Sequence, residues 1–380
     1  MDRMPHIIAG IGVMTSGALI FNLLPVLLGA FADSLQLLPS QLGLLGGIYM
    51  FGFAFASLPA VYLIENTNWR WITAVASIVV TVCLVIASRV ETFVVLLSFF
   101  AVIGLAKGTI FGLANRVLGS TSDPDRMVGI GYFVELVVPA VLIILFAAVI
   151  GPAFGHIGVL ISIGLVILAL GIVSTPLMPG DARAAAIEHE LPKEKLTSDI
   201  VFGLLAAIVL FIGTAGTWAF VERIGIGKGI DATTVGAILS FGLFLTALGS
   251  LLPMLTEQRI RRSTMMFVIA VAITIATYLL DTQSGLMWYF IAASLFNTAW
   301  GASTVYVTAS VADADTSGRF IVLMGGSIGL GAALGPSFAG FLVDGDSYTK
   351  VFIMTSVALF ASAALLLLSG RARRKRRAQT

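Results

Sequence analysis

Long apolar runs separated by short polar breaks fill almost the whole chain. Twelve of them approach the length of about 20 residues that a helix needs to cross a bilayer core. They fall at 7–30, 41–64, 70–88, 92–115, 127–150 and 155–178, then at 200–222, 233–256, 264–281, 285–310, 319–343 and 347–369. Strands of a membrane barrel would alternate polar and apolar residues over about ten positions. These runs are continuous and twice as long, so the pattern predicts an all-α membrane protein of twelve transmembrane helices. The first run is too long for the apolar region of a signal peptide and closes on no small-residue cleavage pattern, so it reads as the first span.

A shift of 193 positions lays the chain on itself, with Gly43 on Gly236, Gly108 on Gly301 and Arg126 on Arg319. The stretch Gly108–Arg126 matches Gly301–Arg319 without a gap. Two copies of one six-helix unit are therefore expected, at 1–178 and 199–370. Between them lies the single long polar stretch, 179–198, a charged and proline-bounded linker with a short surface helix expected from Ala182 to His189. A polybasic tail, 371–380, follows the last span.

Composition points the same way. Hydrophobic residues make up 58% of the chain and charged residues 11%, against about a quarter charged in soluble domains. So few charges cannot cover a 380-residue globule. A net charge of +2 gives no sign of a nucleic-acid partner. The single cysteine, Cys83, lies in an apolar run and can form no internal disulfide. His6, His156 and His189 stand far apart, with no metal-ligand spacing.

Lys and Arg sort the loops into two sets. One holds Arg3, Arg70, Arg116, Arg126, Arg183, Lys193, Lys195, Arg259, Arg261, Arg262, Arg319 and the tail; the other holds Arg89, Arg223, Lys228 and Lys350. The positive-inside rule makes the first set cytoplasmic, which puts both termini there. A bacterial inner (plasma) membrane is the expected location. The tail's basic residues are read first as a topology signal, with attraction to anionic lipid as the alternative.

The six-plus-six parallel repeat, long middle loop and short loops elsewhere resemble the major facilitator superfamily over nearly the whole chain. The resemblance implies two six-helix bundles related by a pseudo-two-fold axis, with spans 1, 4, 7 and 10 lining a central cavity. The loop between spans 2 and 3, Glu65-Asn66-Thr67-Asn68-Trp69-Arg70, departs from the family's acidic-then-basic pattern; Glu257-Gln258-Arg259-Ile260-Arg261-Arg262 is closer in charge. Gly331, Gly335-Pro336 and Gly340 in span 11 are similar to a motif that the family's antiporters carry in span 5. Where many members have an arginine and then Gln-Gly in span 4, this chain has Gly104 and then Lys107-Gly108.

Lys107 and Glu135 are the ionisable residues deepest in hydrocarbon. Each lies eight residues from the cytoplasmic end of its span, roughly 12 Å of helix. A lone charge at mid-bilayer costs at least about 2.5–3.5 kcal/mol, so equal depth on consecutive spans predicts an ion pair. The 193 shift puts Lys107 on Trp300 and Glu135 on Ile328; a device present in one half suits asymmetric work. Lys107 is the candidate for holding an anionic substrate group, and Glu135 for proton coupling. Protonating Glu135 would free Lys107 for an anion.

Among the polar and aromatic residues of the cavity spans, Asn22, Asn297 and Trp300 are the further candidates for substrate contact. Trp218 and Tyr306 are candidates too, with interfacial anchoring as their alternative. Glu222-Arg223 is expected near the outer surface, as a solvated pair or outer gate. Gly104, Gly108 and Gly112 line one face of span 4 and permit close helix approach. A cytoplasmic gate is expected to pair Glu65 with Arg319, and Asp125 with Arg259 or Arg262.

No catalytic cluster, phosphate-binding loop or cofactor motif is found, which argues against an enzyme or an ATP-driven pump. Internal repeats are a construction plan of secondary transporters. The expectation is a monomeric secondary transporter moving a small organic solute, favoured as an organic anion, by proton-coupled symport. The alternatives are a proton-coupled drug or metabolite efflux antiporter and a transport-inactive membrane sensor.

Overall fold

The computed structural model describes residues 2–56, 62–64, 66–180, 196–256, 260–315, 320 and 323–377, without the side chains of 124, 125, 255, 256 and 377. The chain divides into two compact units, Met1–Glu188 and His189–Thr380. The helix expected at Ala182–His189 lies outside the described residues.

The first unit contains α1 (Met4–Asn22), α2 (Leu24–Leu35), α3 (Pro39–Phe55), α4 (Trp69–Ala87), α5 (Phe93–Gly119), α6 (Pro124–Leu145), a π-turn (Phe146–Ile150) and α7 (Gly151–Leu177). The second contains α8 (Ser198–Gly227), α9 (Ala232–Gly249), α10 (Leu252–Thr256), α11 (Arg262–Thr282), α12 (Leu286–Ala314), α13 (Leu323–Leu342) and α14 (Thr349–Arg377). No strand occurs among the described residues, only an isolated bridge between Asp344 and Ser347.

Among the described residues, eight helical stretches are long and apolar enough to cross a membrane, one of them running 52 residues from Arg126 to Leu177. Gly155 breaks that stretch at φ 57, ψ −154. Only glycine takes such a conformation cheaply. Spans 5 and 6 thus meet at one residue rather than across a loop. The first expected span is also divided. Leu23 separates α1 from α2, and Pro25 has no N–H to offer the carbonyl of Phe21 four residues back. α12 is not among the eight; it carries Asn297, Thr298, Trp300, Ser303, Thr304 and Tyr306.

The repeat is visible in the helix starts. Pro39 and Ala232, Trp69 and Arg262, and Phe93 and Leu286 each stand 193 residues apart. So do Gly155, where the helix breaks, and Tyr348, just before α14. Packing repeats too. α1 packs on α5, α6 and α7, and α8 packs on α12, α13 and α14.

In the first unit α5 lies against α3 through glycine. A Cβ at Gly108 would strike the carbonyl oxygen of Phe53; in the second unit a Cβ at Gly301 of α12 would strike that of Thr246 of α9. Both partners are related by the same shift of 193. One turn away the bulk changes sides. Gly104 faces the backbone of Tyr49, whereas Gly242 lies under the amide of Asn297, 2.7 Å from where its Cβ would be. Gly331 and Gly335 seat α13 against the α8 backbone at Ile208 and Ile212.

A ladder of hydroxyl groups joins α14 to α8. Thr355, Ser362 and Ser369 donate to the carbonyls of Gly213, Ala206 and Asp199 at 3.0, 2.8 and 2.7 Å. The donors step by seven residues down one helix and the acceptors by seven up the other, the period of an antiparallel coiled coil. The sequence 371–377 continues α14 as helix.

Candidate functional site

In the first unit the polar groups gather between α1, α5 and α6. Lys107 of α5 is 0% exposed. Its Nζ donates to the carbonyl of Ser16 at 2.7 Å and to Ser16 Oγ at 2.8 Å. Two of the three ammonium donors are thereby used. Glu135 of α6 is 8% exposed, and its Oε2 has no hydrogen-bond partner among the described residues. The expected ion pair between them is not formed. α1 packs on both α5 and α6, and Ser16 supplies two acceptors that satisfy the ammonium first. Thr15, one residue before Ser16, is also buried with no partner for its hydroxyl among the described residues.

Asn22 is brought to the same place for a reason the sequence reading missed. Pro139 has no N–H, so the carbonyl of Glu135, four residues earlier, loses its helical donor. Asn22 Nδ2 supplies the replacement, 3.1 Å from that carbonyl. The proline four positions after Glu135 was the signal that could have found this bond.

The second unit holds an aromatic group instead. Trp300 of α12 meets Trp218 and Phe211 of α8 at ring-centroid distances of 5.8 and 6.2 Å, and Phe296 at 6.0 Å. Trp218 and Tyr306 are 0% and 1% exposed. Neither is an interfacial anchor: protein rather than headgroups surrounds both. Glu222 is buried as well, so it is not half of a solvated pair; α8 is packed by α9, α12, α13 and α14. Asn297 is fixed in the seam between α9 and α12. It accepts from Thr246 Oγ1 at 3.1 Å and donates to the Ala293 carbonyl at 2.9 Å. Ser303 and Thr304 bond back to the Trp300 carbonyl, the local habit of hydroxyls in helices.

Of the expected gate residues, Glu65, Arg259 and Arg319 lie outside the described residues, as does the side chain of Asp125. Arg262 is engaged within its own unit, with Nη1 on Asp313 at 2.6 Å and on the Ala309 carbonyl at 2.8 Å. Among the described residues, no group of three or more His, Cys, Asp or Glu could hold a metal ion.

A crystal structure of the nucleoside transporter NupG superposes with a TM-score of 0.71 at 12% identity, covering 96% of this chain and 99% of that one. A D-xylose-proton symporter gives 0.75 at 11% identity, covering 94% and 96%. A bacterial homologue of the human lysosomal transporter Spinster, in an inward-facing and unoccupied conformation, gives 0.68 at 15%, covering 98% and 97%. At such identities these likenesses establish the fold alone. A search of curated protein sequences finds no match. The sequence profile of the Major Facilitator Superfamily matches residues 9–314, and with most of its length inside that match the chain belongs to this superfamily of integral, multi-pass membrane transport proteins.

Proposed function

We propose that this protein is a proton-coupled secondary transporter for a small organic solute, with Glu135 as the proton-carrying group. The observation that carries this reading is the Glu135 carboxyl, enclosed within the first unit with one oxygen lacking a partner among the described residues. A titratable group held by no fixed bond can gain and lose a proton without dismantling the helices around it. Buried ionisable residues inside membrane bundles mark ion and proton pathways. A structural relative described as a D-xylose-proton symporter supports the same kind of coupling on this fold.

Lys107 fits the solute-binding role, and its charge favours an organic anion. Its bonds to Ser16 occupy two donors and leave a third for a carboxylate or phosphate. Asn22, Asn297, Trp218, Trp300 and Tyr306 complete the proposed set of solute contacts. Trp300 is the strongest of the aromatic group, because three other rings hold it in place. The location proposed is a bacterial inner membrane, with the arginine-rich loops and both termini cytoplasmic. The protein is proposed to act as a monomer of two bundles joined by the 179–198 linker.

Proteoliposomes loaded with a pH-sensitive dye provide the test. A panel of organic acids, sugars and nucleosides is added outside, and internal pH and solute uptake are followed together. The wild type should acidify the lumen with its solute. Glu135→Gln should keep solute exchange and lose proton movement. A Glu135→Gln variant whose transport retains the wild-type pH dependence would rule the assignment out.

A further inference from the structure

The seven residues Arg371–Arg377 continue α14, and their charges are sorted by the helix into two faces. Arg373 and Arg376 point inward. Arg373 Nη1 pairs with Asp313 at 2.9 Å. Arg376 pairs with Asp199 at 3.1 Å and also donates to Thr197 Oγ1 at 3.0 Å and to the Ala314 carbonyl at 2.8 Å. Asp313 holds Arg262 as well. Arg371, Arg374 and Lys375 are exposed. At 3.6 residues per turn these three fall within about 100° of one another, and Arg373 and Arg376 fall on the opposite side.

The inner pairs therefore fix the rotation of the helix and hold three cations outward, directly beyond the last apolar turn of a membrane-spanning helix. We propose that this face is a binding site for the phosphate headgroups of anionic phospholipids. The position argues for lipid: the helix leaves the bilayer there, so the three charges sit at headgroup level. A basic side chain beside an anionic membrane surface is attracted to it. Three on a rotationally fixed face act together, without first having to order a flexible tail. The acidic partners, Asp199 and Asp313, are already engaged by inner-face arginines and do not neutralise the outer three.

The test uses the full chain, purified in neutral detergent with phosphatidylcholine. Phosphatidylglycerol, further phosphatidylcholine or soluble glycerol phosphate is then added. Retained lipid is counted by native mass spectrometry, and the unfolding temperature is measured in each case. Phosphatidylglycerol should remain bound and raise the wild-type unfolding temperature by several degrees. Phosphatidylcholine and glycerol phosphate should do neither. The triple variant Arg371→Gln, Arg374→Gln, Lys375→Gln should lose most of both effects. In case the triple variant is itself unstable, raising the ionic strength of the wild-type sample should weaken retention in step with screening. Equal retention by the triple variant, an effect insensitive to salt, or an equal response to glycerol phosphate would each overturn the proposal.

Discussion

Lys107 and Ser16 show how one buried amino group can be enclosed and still hold two of its donors in bonds. Its Nζ finds a carbonyl and a hydroxyl on the neighbouring helix, which offsets part of the cost of leaving water. Ser16→Ala removes one acceptor from a charged donor and should cost about 1.5–3 kcal/mol, read as a lower unfolding temperature in detergent. Lys107→Met removes charge and bonding need together and keeps the volume. It should leave the unfolding temperature nearly unchanged while abolishing uptake of anionic solutes in proteoliposomes. Equal loss of fold in both variants would make Lys107 purely architectural. The sequence marked Lys107 and Glu135 as out of place, because ionisable residues within apolar runs are visible by inspection. It did not disclose their partners. Which of α1, α5 and α6 comes between the two depends on helix rotation, which spacing along one helix does not encode. The service of Asn22 to the Glu135 carbonyl was within reach, since Pro139 announces a missing donor, but the acceptor's new partner lies 113 residues away.

Between helices, backbone contact and hydroxyl bonding divide the work. A side chain added at Gly108 or Gly301 meets a carbonyl oxygen on the facing helix, which cannot step aside as a side-chain end can. Gly108→Val and Gly301→Val should each destabilise by about 1–3 kcal/mol or more, and Gly129→Ala, where nothing lies near the added carbon, should not; detergent unfolding curves would separate the three. The rungs at Thr355, Ser362 and Ser369 sit about 10 Å apart along α14. Replacing them with Val, Ala and Ala should cost about 0.6 kcal/mol each and add almost independently. The apolar runs starting at 233, 264 and 285 anticipated the helix starts at Ala232, Arg262 and Leu286 to within two residues. They did not anticipate the division of span 1 at Leu23 or the meeting of spans 5 and 6 at Gly155. Apolar content says nothing about where a helix reverses, and one glycine with positive φ leaves no polar gap to notice.

Taken whole, the chain is two copies of one packing plan with different polar contents. The first unit encloses an amino group and a carboxyl; the second holds rings packed edge-on and tilted around Trp300, the hydroxyl ladder and the clasp among Arg262, Asp313, Arg373, Arg376 and Asp199. Loop carboxylates add a dependence on acid. Asp231, bonded to the Thr234 N–H and side chain, and Asp344, beside Lys350, are both held below the ordinary carboxylate range. A lowered folded-state pKa favours the fold above the unfolded value and loses that contribution as pH falls through the folded one. Their share of stability should therefore be constant from neutral pH down to about 4 and fade below it. Asp344→Asn should flatten that acid limb in unfolding curves. The clasp also changes what the end of the chain means. Arg376 is fastened to Asp199 at the very start of α8, so the last turns of α14 tie the closing helix of the unit to its opening one. A cut after Gly370 would remove the Arg376 bonds to Asp199 and Thr197 and leave the Ser369 hydroxyl on the Asp199 carbonyl as the last link between the two helix ends.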